Sequence, residues 1–281
     1  MILRGTYTVK SADFQHSLDD HSAHYVYRWL PEGEPRALLQ IVHGMAEHGA
    51  RYRALGETLA EHGWNLYCPD HRGHGASMDA ADPPGHFADQ DGWRLVMDDL
   101  GRVIDGIRER EPGALVLGGH SMGSFIALAG AQAHGDKLDG LGLCGSDYHP
   151  PLYYRLMATL LKWQRRRHGA RGQSPLVHKL TFEAWARSVP DARTDFDWLS
   201  ADPAQVKAYI DDPKCGFQCT TATWLALLSG LADVQSSKGL SRLPARLPIL
   251  LLGGRQDPMS GGGKGMDRLQ QVLSRRRLPV E

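Results

Sequence analysis

Five short, almost uninterrupted apolar runs constrain the fold of this chain more than any other feature of its sequence. They lie at residues 37–42, 65–69, 114–118, 138–144 and 248–253. Runs of this kind are typical of strands buried on both faces, as in a parallel sheet covered by helices. The stretches between the first four runs have the length of helices and lie at residues 51–62, 89–110 and 122–134. This alternation predicts a doubly wound α/β fold, with an outer antiparallel strand at 23–30 and a last helix at 266–277.

The alternation is interrupted once, between residues 148 and 246. This segment contains helical patterns and turns with glycine or proline, but no strand-like run. A helical insert of this length between two core strands is typical of a cap or lid. We therefore predict three parts, namely the first part of an α/β core at 1–147, a helical cap at 148–246 and the second part of the core at 247–281.

The charge balance and the cysteine content exclude several classes of protein. Lysine plus arginine equals aspartate plus glutamate, at 32 each, so no overall field attracts nucleic acid. No run reaches the ~18 apolar residues of a membrane-spanning helix, and residues 1–6 lack the apolar segment of a signal peptide. Four cysteines are too few for a disulfide scaffold, and Cys215 and Cys219 have the wrong spacing for a zinc knuckle. We expect a cytoplasmic protein with reduced thiols and no bound metal.

The sequence Gly119-His120-Ser121-Met122-Gly123 joins the apolar run at 114–118 directly to the predicted helix at 122–134. A G-x-S-x-G pattern between a strand and a helix is typical of a sharp turn that exposes a nucleophilic serine. The first N–H groups of the helix have no partner within it, so the Met122 N–H can stabilise a developing oxyanion. We predict Ser121 as a nucleophile.

Three other segments follow core strands and bear on the same site. Residues 43–49 offer the Met45 N–H as a second oxyanion donor. The histidine-containing loop at 70–77 lacks the carboxylates of a metal site, and we interpret it as a structural brace. Asp257 follows the last apolar run, at the sheet edge where Ser121 is expected, and is the predicted acid. Asp233, at the end of a predicted helix, is the alternative.

Together these segments closely resemble the branch of the α/β-hydrolases that contains monoacylglycerol lipases and lysophospholipase-like enzymes, grouped with the serine aminopeptidases. The resemblance spans nearly the whole chain and rests on residues 43–52, 70–77, 119–123 and 253–258, with 197–217 similar to the cap of bacterial members. It implies the α/β-hydrolase fold, Ser121 as nucleophile, Asp257 as acid, Met45 and Met122 as oxyanion donors, and no cofactor. The implied reaction is hydrolysis of a carboxylic ester, with a monoacylglycerol or a lysophospholipid as the expected substrate. A small-ester esterase and an aminopeptidase are the alternatives.

The chain departs from that family in one respect. Family members place the catalytic histidine on a loop after a final core strand, but no histidine follows Asp257 here. Residues 278–281 resemble the beginning of that strand. Three interpretations stay open. The sequence is a shortened form of an enzyme without its C-terminal strand and histidine loop; it is a relative that binds acyl ligands without catalysis; or His149 or His178 of the helical segment acts as the base.

The first predicted cap helix, at residues 152–167, combines an apolar stripe with a basic end. Its stripe contains Leu152, Leu156, Leu160 and Trp163 and is widened by Tyr153, Met157 and Leu161. The basic residues lie at 162 and 165–167. One hypothesis is that the stripe packs on the core while the basic end is solvated. The other is that this helix lines the acyl entrance and makes weak contact with anionic lipid surfaces.

Overall fold

A seven-stranded sheet forms the centre of the computed structural model, which describes residues 10–17 and 23–281. Its strands are β1 (Lys10–Ser17), β2 (Ala23–Leu30), β3 (Ala37–Val42), β4 (Trp64–Pro69), β5 (Leu115–His120), β6 (Gly140–Cys144) and β7 (Ile249–Leu252). The strand order is β1-β2-β4-β3-β5-β6-β7. Strands β3 to β7 are parallel to one another, whereas β2 is antiparallel to β4 and β1 is antiparallel to β2. The predicted α/β class is confirmed, and the outer strand at 23–30 is present as predicted.

Ten helices accompany the strands in the described residues. They are α1 (Arg53–Glu61), α2 (Gly92–Arg110), α3 (Met122–His134), α4 (Pro151–His168), α5 (Pro175–Leu180), α6 (Phe182–Ser188), α7 (Pro203–Asp211), α8 (Thr221–Val234), α9 (Ser237–Leu240) and α10 (Lys264–Ser274). Helix α3 packs against β3, β5 and β6 and is buried along almost its whole length. Its sequence is apolar on every face, which is the composition of a fully buried helix.

Helices α4 to α9 occupy the interval between β6 and β7, where the sequence predicts a helical insert. Within this interval α4 packs on α8, and α8 packs on α2 and α3. Leu227, Leu231 and Val234 of α8 are buried in the same apolar cluster as the side chains of β5 and β6. The C-terminal part of the insert therefore belongs physically to the central core.

Helix α4 buries a different face from the one expected. Tyr154, Ala158 and Leu161 are buried, whereas Leu152, Leu156 and Trp163 are 64%, 58% and 51% exposed. The hypothesis that the stripe packs on the core is therefore wrong for its exposed members, Leu152, Tyr153, Leu156 and Trp163, and holds for Leu161. The apolar stripe is presented to the surface, with Leu160 half-buried at its side.

The last residues of the chain extend the sheet beyond β7. Val280 forms a parallel bridge with Ile249, and the Leu251 N–H donates to the carbonyl of Glu281 at 2.9 Å. The interpretation of 278–281 as the start of a strand is thus confirmed. On β7, Leu250 and Leu252 are 46% and 51% exposed, so one face of this strand is left uncovered by the described residues.

Strand β1 was not predicted, because its sequence Lys10–Ser17 lacks a clear apolar alternation. No helix of the described residues is both long and apolar enough to cross a membrane. The expectation for residues 1–6 lies outside the described residues.

Candidate active site

Ser121 occupies a strained turn between β5 and α3. Its φ of 52° and ψ of −120° lie outside the regions that non-glycine residues prefer, and such strain is held only where the surrounding structure enforces it. Two close backbone approaches enforce it here. A Cβ on Gly119 would lie 2.2 Å from the Gly123 carbonyl oxygen, and a Cβ on Gly123 would lie 2.0 Å from that of Val42. Both glycines of the pattern are therefore required, and they leave Ser121 at the carboxyl end of β5.

The loop after β3 comes directly against this turn. A Cβ on Gly44 would lie 3.4 Å from the Ser121 Cβ, so the backbone that leads into Met45 passes beside the serine. The buried carboxylate of Glu47 supports the loop, because it accepts hydrogen bonds from the Gly44 N–H at 2.6 Å and from the Tyr52 hydroxyl at 3.0 Å. Gly44, the residue before Met45, thus lies beside Ser121, and Met122 follows Ser121 as the first residue of α3.

The helical segment also fastens this loop, through Ala46. The Ala46 carbonyl accepts hydrogen bonds from the Tyr209 hydroxyl at 2.8 Å and from the Gly216 N–H at 3.0 Å. Its backbone also hydrogen-bonds to the Cys219 thiol. Ala46 has a φ of 55°, an uncommon value for a residue with a side chain. Sequence reasoning missed these contacts, because nothing local in residues 209–219 indicates that they reach back to Ala46.

The histidine loop after β4 braces the same region, as predicted. The His71 N–H donates to His43 Nε2 at 3.0 Å, and the Asp70 carboxylate accepts from the Gly49 and Ala76 N–H groups at 2.6 and 2.7 Å. Burial lowers the pKa of His74 to about 4, so this side chain is neutral at physiological pH. Backbone contacts hold Asp70 and one ring nitrogen each of His71 and His74, which supports a structural interpretation, and the buried His74 Nε2 has no partner among the described residues.

Asp257 lies at the same edge of the sheet, on the loop after β7. One carboxylate oxygen accepts from the Met259 N–H at 2.9 Å, and the other would lie 3.9 Å from a Cβ on Gly145. The ring of His120 lies on the other side of Gly145, 3.4 Å from the same Cβ. Ser121 and Asp257 therefore follow β5 and β7, with the end of β6 between them.

His120 is adjacent to the serine but unsuited to be its base. Burial by itself lowers the pKa of His120. A hydrogen bond with the Cys144 thiol and the negative charges of Glu47 and Asp257 outweigh that effect and raise the pKa to about 9. The imidazole is therefore protonated at neutral pH and cannot accept a proton from a serine hydroxyl.

The two histidines named as possible bases have different surroundings. His149 Nε2 lies 2.9 Å from an Asp147 carboxylate oxygen, on the loop after β6, and its ring stacks on Tyr153 with centroids 4.1 Å apart. His178 stacks on Phe182 within the helical segment. Within the part of the chain that the structure describes, His149 is the one of the two with a carboxylate partner of the kind that orients a catalytic imidazole. The alternative acid Asp233 is 61% exposed and paired with Arg242.

This arrangement can be compared with that of known proteins. A family model described as serine aminopeptidase, S33, matches residues 33–278. The chain belongs to this family. Its fold is the α/β-hydrolase fold of the solved structures it resembles. The family resemblance inferred from the sequence is confirmed.

Individual relatives narrow the class of enzyme. The monoacylglycerol lipase of Mycolicibacterium smegmatis is 26% identical over 254 residues, which cover 86% of this chain and 78% of that protein. The monoglyceride lipase of Rattus norvegicus is 27% identical over 231 residues, covering 82% and 68%. A carboxyl esterase structure from Bacillus coagulans superposes with a TM-score of 0.86 at 24% identity, over 98% of this chain and 89% of that one. These relatives place the chain among the carboxylic ester hydrolases.

Proposed function

We propose that this hydrolase cleaves fatty-acyl esters, with monoacylglycerols as the main substrate class, through an acyl-enzyme on Ser121. The observation that carries the proposal is the strained Ser121 at the start of α3, with the Gly44–Met45 backbone beside it. Strain of this kind is characteristic of a serine held ready for nucleophilic attack. Two of the relatives are named for monoacylglycerol hydrolysis, which supports the substrate class.

Each step of the proposed reaction except proton transfer is assigned to a residue of the printed sequence. Ser121 Oγ attacks the ester carbonyl carbon while an imidazole takes its proton. The carbonyl oxygen becomes an oxyanion and accepts hydrogen bonds from the Met45 and Met122 N–H groups. The imidazole returns the proton to the departing alcohol, and water then releases the fatty acid by the same route. Asp257 holds the imidazole in the required tautomer throughout.

The proposed mechanism has two forms, which differ in the histidine that supplies the imidazole. Residues 279–281 run parallel to β7, so a chain that continued in the same direction would reach the edge that carries Ser121 and Asp257. That is where the family resemblance locates the histidine. Within the printed sequence, His149 is the alternative, because Asp147 already orients its ring.

Labelling of the serine distinguishes these forms. A fluorophosphonate probe reacts only with an activated serine, so the 281-residue chain is compared with one extended through the downstream reading frame. Ser121→Ala should abolish labelling in either chain. If only the extended chain is labelled, the base lies beyond residue 281. If the shorter chain is labelled, His149→Ala should remove the reactivity and His178→Ala should leave it. Absence of labelling in both chains would favour the acyl-binding relative without catalysis.

The helical segment at 148–246 is proposed as the cap that receives the acyl chain. Phe182, Trp185 and Trp198 form a half-buried aromatic group with ring centroids 5.0 to 5.8 Å apart. Such a surface suits an alkyl chain better than a polar substrate. Substrates of graded acyl length test this, since a dependence of kcat/KM on chain length is expected for the lipase and not for an aminopeptidase.

A second proposal concerns the exposed stripe of α4. Leu152, Leu156 and Trp163 face outward, and the exposed Lys162, Arg166 and Arg167 lie at the same end of the helix as Trp163. Exposed apolar side chains beside a basic cluster are complementary to an anionic lipid surface, where each basic residue contributes about 1 kcal/mol. We propose weak, salt-sensitive membrane contact at this stripe.

We also propose a cytoplasmic location. The four cysteines are unpaired, which supports it.

A further inference from the structure

Three side chains with metal-binding atoms converge where the helical segment meets the loop after β3. His48 Nε2 donates to Asp212 Oδ2 at 2.8 Å, although the two residues are 164 positions apart. Cys215 completes the group, and one ligand atom from each residue lies within 4.8 Å of the other two. Among the described residues, this is the one group of at least three such side chains that geometry brings so close together.

The three donors match the preferences of one class of cation. Imidazole nitrogen, thiolate sulfur and carboxylate oxygen are the ligands that zinc uses in proteins, in a tetrahedral arrangement. Calcium and magnesium need more oxygen ligands than this group offers. His48 is buried, while Asp212 and Cys215 are half-buried, so a cation can enter from the solvent side and keep a water molecule as its fourth ligand.

The charges around the group are compatible with a divalent cation. The Arg51 side chain hydrogen-bonds to the Cys215 thiol. Its guanidinium is also paired with Glu47 at 3.1 Å and lies over the Tyr209 ring at 4.9 Å, so Glu47 partly balances its charge. The Asp212 carboxylate and the Cys215 thiolate together balance the two charges of zinc. Burial and the charge of Asp212 raise the pKa of the Cys215 thiol to about 12. Formation of the metal–sulfur bond therefore displaces the thiol proton to solvent.

We propose that His48, Asp212 and Cys215 form a zinc site that joins the loop after α7 to the loop carrying Met45. Ala46 already accepts hydrogen bonds from Tyr209 and Gly216, on either side of Asp212 and Cys215 in the chain. Zinc adds a bond at the same junction and stabilises the folded protein, because the unfolded chain does not hold the three ligands together. The site does not depend on hydrolysis of any substrate.

The experiment uses the full 281-residue chain after removal of metal with a chelator. Zinc is titrated in competition with a chromophoric chelator, and cobalt is used separately to detect a thiolate-to-metal absorption band. Cys215→Ser removes one proposed ligand. Cys219→Ser is the matched control, because Cys219 lies in the same loop and is not a member of the group.

We expect one zinc ion per chain with a dissociation constant in the micromolar range or below, and a rise in melting temperature on addition of zinc. Loss of a residue that hydrogen-bonds to a metal ligand lowers metal affinity by about 10- to 100-fold. Cys215 is itself a proposed ligand, so Cys215→Ser should weaken zinc binding by at least about 100-fold. Cys219→Ser should bind as the parent does and retain the cobalt–thiolate band. Equal binding by the parent and Cys215→Ser would overturn the proposal, as would equal loss in both variants or no saturable binding by the parent. Serine labelling is scored separately, so these results do not depend on the proposed function.

Discussion

The hydroxyl of Tyr209 offers a sharp test of how the helical segment supports the candidate site. Tyr209→Phe removes one hydrogen bond, donated to the Ala46 carbonyl at 2.8 Å, and leaves the buried ring in place. The Ala46 carbonyl keeps a second donor, the Gly216 N–H at 3.0 Å. No buried acceptor is left unpaired, so the free energy of unfolding should fall by only about 1 kcal/mol. For a chain of this size that is a decrease of about 2 to 4 °C in melting temperature.

The effect on reactivity should be larger than the effect on stability. Ala46 follows Met45 and has a φ of 55°, so its carbonyl is one of the anchors that fix the direction of the Met45 N–H. Complete removal of one oxyanion donor costs about 100- to 1000-fold in kcat. In Tyr209→Phe the proposed Met45 N–H donor is still present but points in a less favourable direction, so the loss should be smaller. We expect a decrease of about 10-fold in kcat with KM nearly unchanged.

Tyr154→Phe is the matched control for this change. The Tyr154 hydroxyl is also buried and donates to an acceptor, Gln235 Oε1, that keeps a second donor in the His149 N–H. Both variants should lose similar stability in denaturant unfolding. Only Tyr209→Phe should slow hydrolysis of a p-nitrophenyl ester and labelling by a fluorophosphonate, measured in the chain length in which Ser121 reacts. Equal rates for the two variants would refute the anchoring role of Tyr209.

Three other predictions concern packing, protonation and the surface. Gly123→Ala places a Cβ 2.0 Å from the Val42 carbonyl oxygen and should cost about 3 kcal/mol or more in denaturant unfolding, whereas Gly142→Ala, with its nearest contact at 3.8 Å, should cost far less. His74, with its pKa lowered from 6.5 to about 4 by burial, should destabilise the fold by up to about 3 kcal/mol as the pH falls through that interval, since only the unfolded chain takes up the proton. His120, with its pKa raised to about 9, should cause a loss of stability as the pH rises from 6.5 to 9. Stability that does not fall below pH 6.5 would contradict the His74 assignment, and stability that does not fall above pH 6.5 would contradict the His120 assignment. Replacement of Lys162, Arg166 and Arg167 in α4 by glutamine should reduce co-sedimentation of the protein with phosphatidylserine vesicles at low salt. Unchanged binding would count against membrane contact.

The sequence by itself determined the sheet and the turn at Ser121. Strands buried on both faces need continuous apolar runs, so their positions could be read directly, and β3 begins and ends where its run does. The Ser121 turn is only partly local, because Gly119 is required by the Gly123 backbone within the turn, whereas Gly123 is required by the Val42 carbonyl of the neighbouring strand β3. The order of these elements along the chain was enough to predict Ser121 and Asp257 as site residues, whose roles stay predictions.

Only the tertiary structure decided which distant side chains meet. Helical spacing gives α4 two possible apolar faces, and packing on α8 buries the face with Tyr154 and exposes the one with Leu156. The pairing of His48 with Asp212 joins residues 164 positions apart. The spacing of Cys215 and Cys219 argued against a zinc knuckle, and it carried no information about His48. Such contacts depend on how the helical segment docks on the core, and docking is set by the summed burial of many side chains. No local sequence pattern predicts how the helical segment docks.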